Sequence, residues 1–514
     1  MKQYSRDEIV ELCQRLEEEL ACHEWMHGDW RVWPYLRSRL LLALISGHAA
    51  PVYTDRKSMW KNRIRAACKT VGMPLLCTKR RRLARSAGAP FYCNEKLKVG
   101  QICDVALVDQ GPFGSIGEGC AEVSSYTYVL EQFESHGLKP VHLPHSRVPA
   151  SLDALERPAA TLKRCHWTRM EVRTKQVDWY QDYLSLAKRI YRERGIPLRK
   201  DILHELAVIE RVSHLYEAFF VEHVIRFLAV VCYYNGDAMA ALLAAARLGI
   251  PSFDIQHGKH DIAHPMYAKW ICQPSGRYET MPDYFWCWGE RDVQVHEQFN
   301  PGLSRYVQAF AGGQGDIYRN AQKVEIWNPA CYKKVKAFCR QKELRIAFLC
   351  TGLSAPQKPL MAAAVASAPH SWLWFHREHP RLMRSDMYPD LKARFKEMGA
   401  NDHVLFEEAD TLTLFELFSF CDVIVSDWST CAQEALAFGI PAVIIHPNGY
   451  DAYQQAIKAG VMIYAGQDAG SLVSAIRQAA TIQASDCQYY ATYYYATGVH
   501  ADKAFKEVLK EIKG

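Results

Sequence analysis

Two short stretches of this sequence put phosphate-binding chemistry where a ligand can reach it. The first is FHREHP, residues 375–380, in which His376, Arg377 and His379 end a run of bulky apolar residues. Pro380 fixes the backbone beside His379, so the imidazole leaves the strand end in a defined direction. Next to a phosphate, an imidazole supplies an N–H donor and, when protonated, a charge. The second is SDWSTCAQEALAFGIPAVIIHP, residues 426–447: a short polar segment, an apolar helix closing near Gly439, and a buried strand. Ser429 and Thr430 fall at the helix start, where free backbone N–H groups and the positive end of the helix dipole attract anions. Both hydroxyls can donate to a phosphate, and Glu434, one turn further, can reach ribose hydroxyls. The competing reading is an ordinary cap, with Asp427 or Ser429 satisfying the helix's own N–H groups.

Group transfer also needs a carboxylate, and two are well placed. Asp237 follows FLAVVCYYN and opens the helical segment DAMAALLAAARLG, where the dipole favours the ionised form. An ionised carboxylate suits a nucleophile or general base, not a general acid; a plain helix-capping aspartate is the alternative. Glu118 in GSIGEGC is the second candidate, in a glycine-flanked loop that a sugar can approach closely. The segment QHGKHDIAH carries His257, His260 and His264. His257, directly after a strand, is expected to face a cleft; His260 and His264 fit structural roles better. With neither an HExxH pattern nor a neighbouring cysteine pair, no metal is expected here, and no cofactor is implied beyond a donor substrate.

These groups sit on an alternating framework. ICDVALVDQ, KPVHLPH, RFLAVVCYYNG, IPSFDIQHG, DYFWCWG and YVQAFAGG read as strands separated by helical segments. A second alternating set starts at LRIAFLCTG and continues through WLWFHREHP, HVLFEEA and VIVS. Strands alternating with helices imply parallel, doubly wound sheets, and so an α/β chain with two Rossmann-like domains. The expected divisions are a helical N-terminal extension over 1–100, a first domain over 101–311, and a connection over 312–343. A second domain then covers 344–490, and a C-terminal helix over 491–514 returns to the first domain. In open parallel sheets, ligands bind beyond the carboxyl ends of the strands, which is where every candidate above lies.

Bulk properties narrow the class. The 514-residue chain is 49% hydrophobic and 23% charged, has no run of about 18 uncharged apolar residues, and begins with a charged, helix-patterned segment instead of a signal peptide. Seventeen cysteines without a CxxC pair fit reduced thiols in the cytoplasm. The net charge of +6 is uneven: every charged residue from Arg56 to Arg85 is basic, including the run Lys79, Arg80, Arg81 and Arg82. Stretch 56–85 is either a solvated basic face or a contact for the anionic inner surface of the cytoplasmic membrane. No nucleic-acid-binding signature accompanies it, so nucleic acid is not an expected partner.

The His-Pro and Ser-Thr pair, His379-Pro380 and Ser429-Thr430, resembles that of bacterial GT-B glycosyltransferases that use CMP-activated sugars, the sialyltransferases and Kdo transferases. GDAMAALLAAARLGIPSFDIQHGKHD is similar to retaining β-Kdo transferases of surface-polysaccharide synthesis, and the resemblance spans roughly Ile102 to the C-terminus. It implies a GT-B fold with a cleft between the domains. It implies that His379, Ser429 and Thr430 hold the CMP phosphate, with Arg377 adding a donor and Glu434 near the ribose. Asp237 becomes a nucleophile forming a glycosyl–enzyme intermediate, with Glu118 second, and His257 contacts the donor or acceptor. The partners implied are a CMP-sugar donor and a lipid-linked or glycan acceptor. CDP-glycerol-type phosphotransferases share a comparable arrangement, and a sugar-nucleotide epimerase or a non-catalytic two-domain binder would use the same scaffold.

Overall fold

The computed structural model describes residues 6–46, 101–109, 127–144, 174, 177–198, 201–260, 262, 264–350, 357–378, 397, 403–466 and 468–513. The basic stretch 56–85, Glu118 and His379 lie outside the described residues. No described helix is long and apolar enough to cross a membrane.

The N-terminal segment forms helices Arg6–Leu20 and Trp33–Ser46, as its apolar spacing predicts. Between them an unforeseen antiparallel ribbon, β1 (Met26–His27) and β2 (Trp30–Arg31), turns through Gly28. A six-stranded parallel sheet follows, made of β3 (Val105–Asp109), β4 (Pro140–Pro144), β5 (Phe227–Val231), β6 (Ser252–Ile255), β7 (Tyr284–Cys287) and β8 (Gln308–Ala311). Its order is β4-β3-β5-β6-β7-β8. Every residue of β5, β6 and β7 is buried, because helices cover both faces of a parallel sheet. Alternate residues divide between two cores. Val105, Leu107, Phe227 and Ala229 pack with Phe133 and Phe505, whereas Ala106, Val108, Leu228 and Val230 pack toward the N-terminal helices.

The second six-stranded parallel sheet contains β9 (Leu344–Cys350), β10 (Trp372–Glu378), β11 (Val404–Leu405), β12 (Val423–Ser426), β13 (Ala442–Ile444) and β14 (Met462–Tyr464). Its order, β11-β10-β9-β12-β13-β14, repeats the plan of the first: the chain winds outward to one edge, then restarts on the other side of the opening strand. The result is the two-domain α/β architecture of the GT-B class. The last helix, Gly498–Lys513, lies on the first sheet, with the Phe505 ring 5.0 Å from Phe133 and 4.8 Å from Trp286.

Further features depart from the sequence reading. Residues 312–343, expected as a weakly patterned connection, carry helices Gly315–Gln322 and Pro329–Cys339. Helix Pro447–Lys458 and strand β14 had no counterpart in the periodicity. Pro447, Asn448 and Gly449 look like turn residues, yet they form the helix's first turn. Gly449 is needed there because a Cβ would come within 1.9 Å of the Asp427 carbonyl oxygen.

The N-terminal helices do more than cover the sheet. Arg37 and Glu17 are almost fully buried and paired. Arg37 also donates to the carbonyls of Pro265 (2.7 Å), Ala268 (3.0 Å) and Lys269 (3.1 Å). Glu17 accepts from Trp33 Nε1 (2.8 Å) and from the backbone N–H groups of Ile271 (3.0 Å) and Cys272 (3.1 Å). Removing one partner of a buried pair leaves an uncompensated charge and typically costs about 3–5 kcal/mol. Glu17→Gln should therefore lower the melting temperature clearly and expose segment 265–272 to proteolysis. Unchanged melting and cleavage would show that the segment holds itself.

Candidate functional site

Both sheets restart beside their opening strand, and the crevice created there is where an open parallel sheet binds ligands. In the first sheet it lies between β3 and β5. At the end of β5 the chain turns sharply through Cys232, a non-glycine residue with φ 62°. Asn235 holds this turn by donating to the Cys232 carbonyl (2.8 Å), and its side-chain oxygen caps helix Gly236–Leu248 by accepting from Ala238 N (2.8 Å). The capping alternative for Asp237 is thus corrected: Asn235 is the cap, and Asp237 sits in the first helical turn, 1% exposed.

Asp254 of β6 ties the neighbouring strand end to this turn. Its carboxylate accepts from Tyr233 N (3.0 Å) and Tyr267 Oη (3.0 Å), while burial pushes its pKa up to about 8. Beyond β6, Gln256 positions the loop bearing His257. Its Nε2 donates to the Gly258 carbonyl and to Asp292 (2.9 Å each), and its Oε1 accepts from Trp288 N (2.6 Å). The His257 ring lies 6.2 Å from Tyr234 and 6.4 Å from Tyr267, and burial pulls its pKa down to about 4. His257 is therefore neutral near pH 7. His260 lies deeper, stacked on Tyr267 and bonded to His296 (Nδ1 to Nε2, 2.9 Å). Candidate ligand atoms of His260, Cys287 and His296 all lie within 4.8 Å of one another; this is a cluster that could hold a metal ion.

In the second sheet the crevice lies between β9 and β12, and the segment after β12 is Asp427-Trp428-Ser429-Thr430. Ser426 Oγ donates to the Leu349 carbonyl (2.8 Å) across to β9 and accepts from Ser429 N (3.3 Å). Ser429 Oγ accepts from Cys431 N (3.3 Å), so that hydroxyl serves in part as the cap. Asp427 instead accepts from Trp428 N (2.7 Å). Thr430 begins helix Cys431–Ala437, and its hydroxyl bonds Glu434. Burial pushes Glu434 up to about 7 against the opposing effect of Thr430. The indole of Trp428 meets the His446 ring at 4.4 Å.

The two edges face each other. Lys259 of the first domain donates to the Ala452 carbonyl (2.9 Å) and lies 4.5 Å from the Tyr453 ring centre. Tyr453 in turn donates its hydroxyl to the Ser429 carbonyl (2.7 Å). A continuous chain of contacts therefore runs from the loop of His257 to the segment of Ser429 and Thr430. Asp237 and His257 are brought to adjacent strand ends of one sheet, and Ser429, Thr430 and Glu434 cluster on the other. Arg377 is buried and donates to the carbonyls of Ala409 and Leu412, so its guanidinium supports the second domain's own backbone. Gln256, Lys259, Trp428, His446 and Tyr453 were not singled out from the sequence. Only their position within four residues of a strand end, or on the unrecognised helix 447–458, could have drawn attention to them.

The chain matches no protein-family model and no curated relative. Among solved structures it is similar to UDP-GlcNAc 2-epimerase from Neisseria meningitidis bound to UDP-GlcNAc (14% identity, TM-score 0.49, 79% of this chain and 100% of that one). It is also similar to Anabaena HepE in complex with UDP and glucose (13%, 0.45, 80% and 100%). A third is UDP-GlcNAc 2-epimerase from Methanocaldococcus jannaschii (11%, 0.46, 79% and 99%).

Glu434 gives a signed pH test. Its folded pKa of about 7 lies above the ordinary 4.5, so the folded state favours the protonated form. The stability this contributes is complete below about 4.5 and lost as pH rises through about 7. Glu434→Gln, permanently neutral, should gain melting temperature relative to wild type between those pH values and hold that gain above them. A constant difference from pH 4 to 8 would mean that Glu434 titrates normally.

Proposed function

We propose that this chain is a glycosyltransferase that takes a CMP-activated sugar, Kdo in the first place, and transfers it to a lipid-linked or surface-polysaccharide acceptor. The observation that carries this reading is the facing of the two sheet edges through Lys259, Tyr453 and Ser429, at 2.9 Å and 2.7 Å. Hydroxyls and a carboxylate suited to a nucleotide then lie opposite a carboxylate and a neutral imidazole suited to the sugar. Ser429, Thr430 and His379 bind the phosphate, and Glu434 takes the ribose.

Asp237 attacks the anomeric carbon as its bond to the phosphate oxygen breaks, and CMP leaves with the electron pair. The acceptor hydroxyl then displaces the Asp237 carboxylate, which leaves with its bonding electron pair, while the hydroxyl's proton passes to the neutral His257 imidazole. His257, neutral at physiological pH, accepts a hydrogen bond from that hydroxyl and orients it. Glu118 is the second carboxylate available to the reaction.

Nucleotide preference is read from melting temperature in the presence of CMP, CDP or UDP, because a ligand that binds only the folded state stabilises it. CMP should give the largest shift. A larger shift with CDP would favour glycerol-phosphate transfer, and one with UDP would end the CMP reading. Ser429→Ala and His379→Ala should each weaken CMP binding at least tenfold, since a hydrogen bond to a charged group is worth ~1.5–3 kcal/mol. Unaltered titrations for both would remove the phosphate site from this segment.

With CMP-Kdo and no acceptor, intact-protein mass spectrometry should find one added sugar, mapped to the peptide containing Asp237. Asp237→Asn should lose both adduct and turnover while keeping CMP affinity, because the nucleotide is held by the other domain. An active Asp237→Asn enzyme would transfer the nucleophile's role to Glu118.

A further inference from the structure

We propose that His260, Cys287 and His296 bind a zinc ion through two imidazoles and a thiolate, fastening the cleft-lining loop after β6 to the body of the first domain. The three residues come from three successive places in the chain: the loop after β6, the last residue of β7, and helix Glu290–Phe299. Parallel pairing of β6 with β7 brings the first two together, and the helix folds His296 back against them. All three are buried: His260 and Cys287 are 0% exposed and His296 is 7%.

Geometry and chemistry both fit. Zinc held at about 2.0–2.3 Å by nitrogen and sulfur in a tetrahedron keeps its ligand atoms about 3.3–3.7 Å apart; the candidate atoms lie within 4.8 Å, so the widest pair closes by up to about 1 Å on binding. His260 Nδ1 and His296 Nε2 are 2.9 Å apart, so separating them by about 0.4 Å admits the ion. Neighbouring rings already fix both imidazoles. His260 stacks on Tyr267 with centres 3.6 Å apart, and His296 stacks on Phe285 at 4.1 Å.

The metal-free alternative is one proton shared between the two imidazoles. It gives the Cys287 thiol, packed against both rings, no role. The nitrogen–sulfur ligand set favours zinc over magnesium or calcium, which prefer oxygen. Because His260 is three residues from His257 and adjacent to Lys259, the ion would hold the loop that carries both.

The test uses the full chain, purified without chelator. Elemental analysis should find about one zinc per chain. After stripping, cobalt(II) should restore a thiolate-to-metal charge-transfer band, and zinc should raise the melting temperature. Cys287→Ser, checked for folding by circular dichroism, should lose the band and the zinc-dependent shift. If that variant unfolds, His296→Gln takes its place, and if both unfold the wild-type zinc content and cobalt band decide. A wild-type chain with no zinc and no cobalt band overturns the proposal. So does a band of undiminished strength in a folded variant, because other cysteines would then be binding the ion.

Discussion

The buried guanidinium of Arg37 is the contact on which the cleft wall depends. Segment 265–272 has no regular secondary structure, so its backbone groups cannot satisfy one another as they would in a helix or sheet. Arg37 takes three of its carbonyls and Glu17 takes two of its N–H groups, while the two side chains neutralise each other. The guanidinium also lies 4.1 Å from the Trp270 ring centre. A network this fully connected avoids the penalty of unmet buried polar groups and specifies one loop conformation. The N-terminal helices are in this sense part of the site's foundation: they fix the segment containing Tyr267, which in turn bonds Asp254 and stacks on His260.

From there the organisation is that of two parallel sheets with the same winding. Each has a crevice where the chain restarts beside its opening strand, and each crevice collects polar residues that the buried strands cannot hold. The short turns after β5 and β12 are held by side chain–backbone bonds, from Asn235 in one and Ser426 in the other. Those bonds leave Asp237 on one side and Thr430 on the other at helix starts, where the dipole favours negative charge. Among the described residues, the domains meet near the cleft where Lys259 contacts Ala452 and Tyr453. The chain also crosses between them near Trp288 and Tyr495, where Ala496 N donates to the Trp288 carbonyl at 2.7 Å. Gly289 allows this crossing, since a Cβ there would come 2.5 Å from the Tyr494 backbone.

Electrostatics separate the two halves of the cleft. Burial holds His257 neutral near pH 7, while Glu434 titrates close to that pH. A neutral imidazole can orient a hydroxyl without adding charge, and a carboxyl near its midpoint can switch between donating and accepting a hydrogen bond. Both shifts arise from removal of water, the effect a closed cleft would strengthen.

Much of the framework was legible in the sequence because buried parallel strands announce themselves as apolar runs. RFLAVVCYYNG, IPSFDIQHG and VIVS became β5, β6 and β12, and the residues just after them line the candidate site. Helix 447–458 was illegible because Pro447, Asn448 and Gly449 carry turn propensities, and only the close approach of Gly449 to Asp427 explains their use. The capping alternative for Asp237 stayed open in the sequence because Asn235 and Asp237 are equally good cap types; the backbone turn at Cys232 selected Asn235. The spacing of His260, Cys287 and His296 matches no local metal motif, since their proximity comes from pairing β6 with β7. Residue order along one chain thus determined which strands form and where ligands meet their ends. Which side chains from separate strands, helices and domains converge was decided by tertiary packing, because those contacts span tens to hundreds of residues and leave no periodic trace.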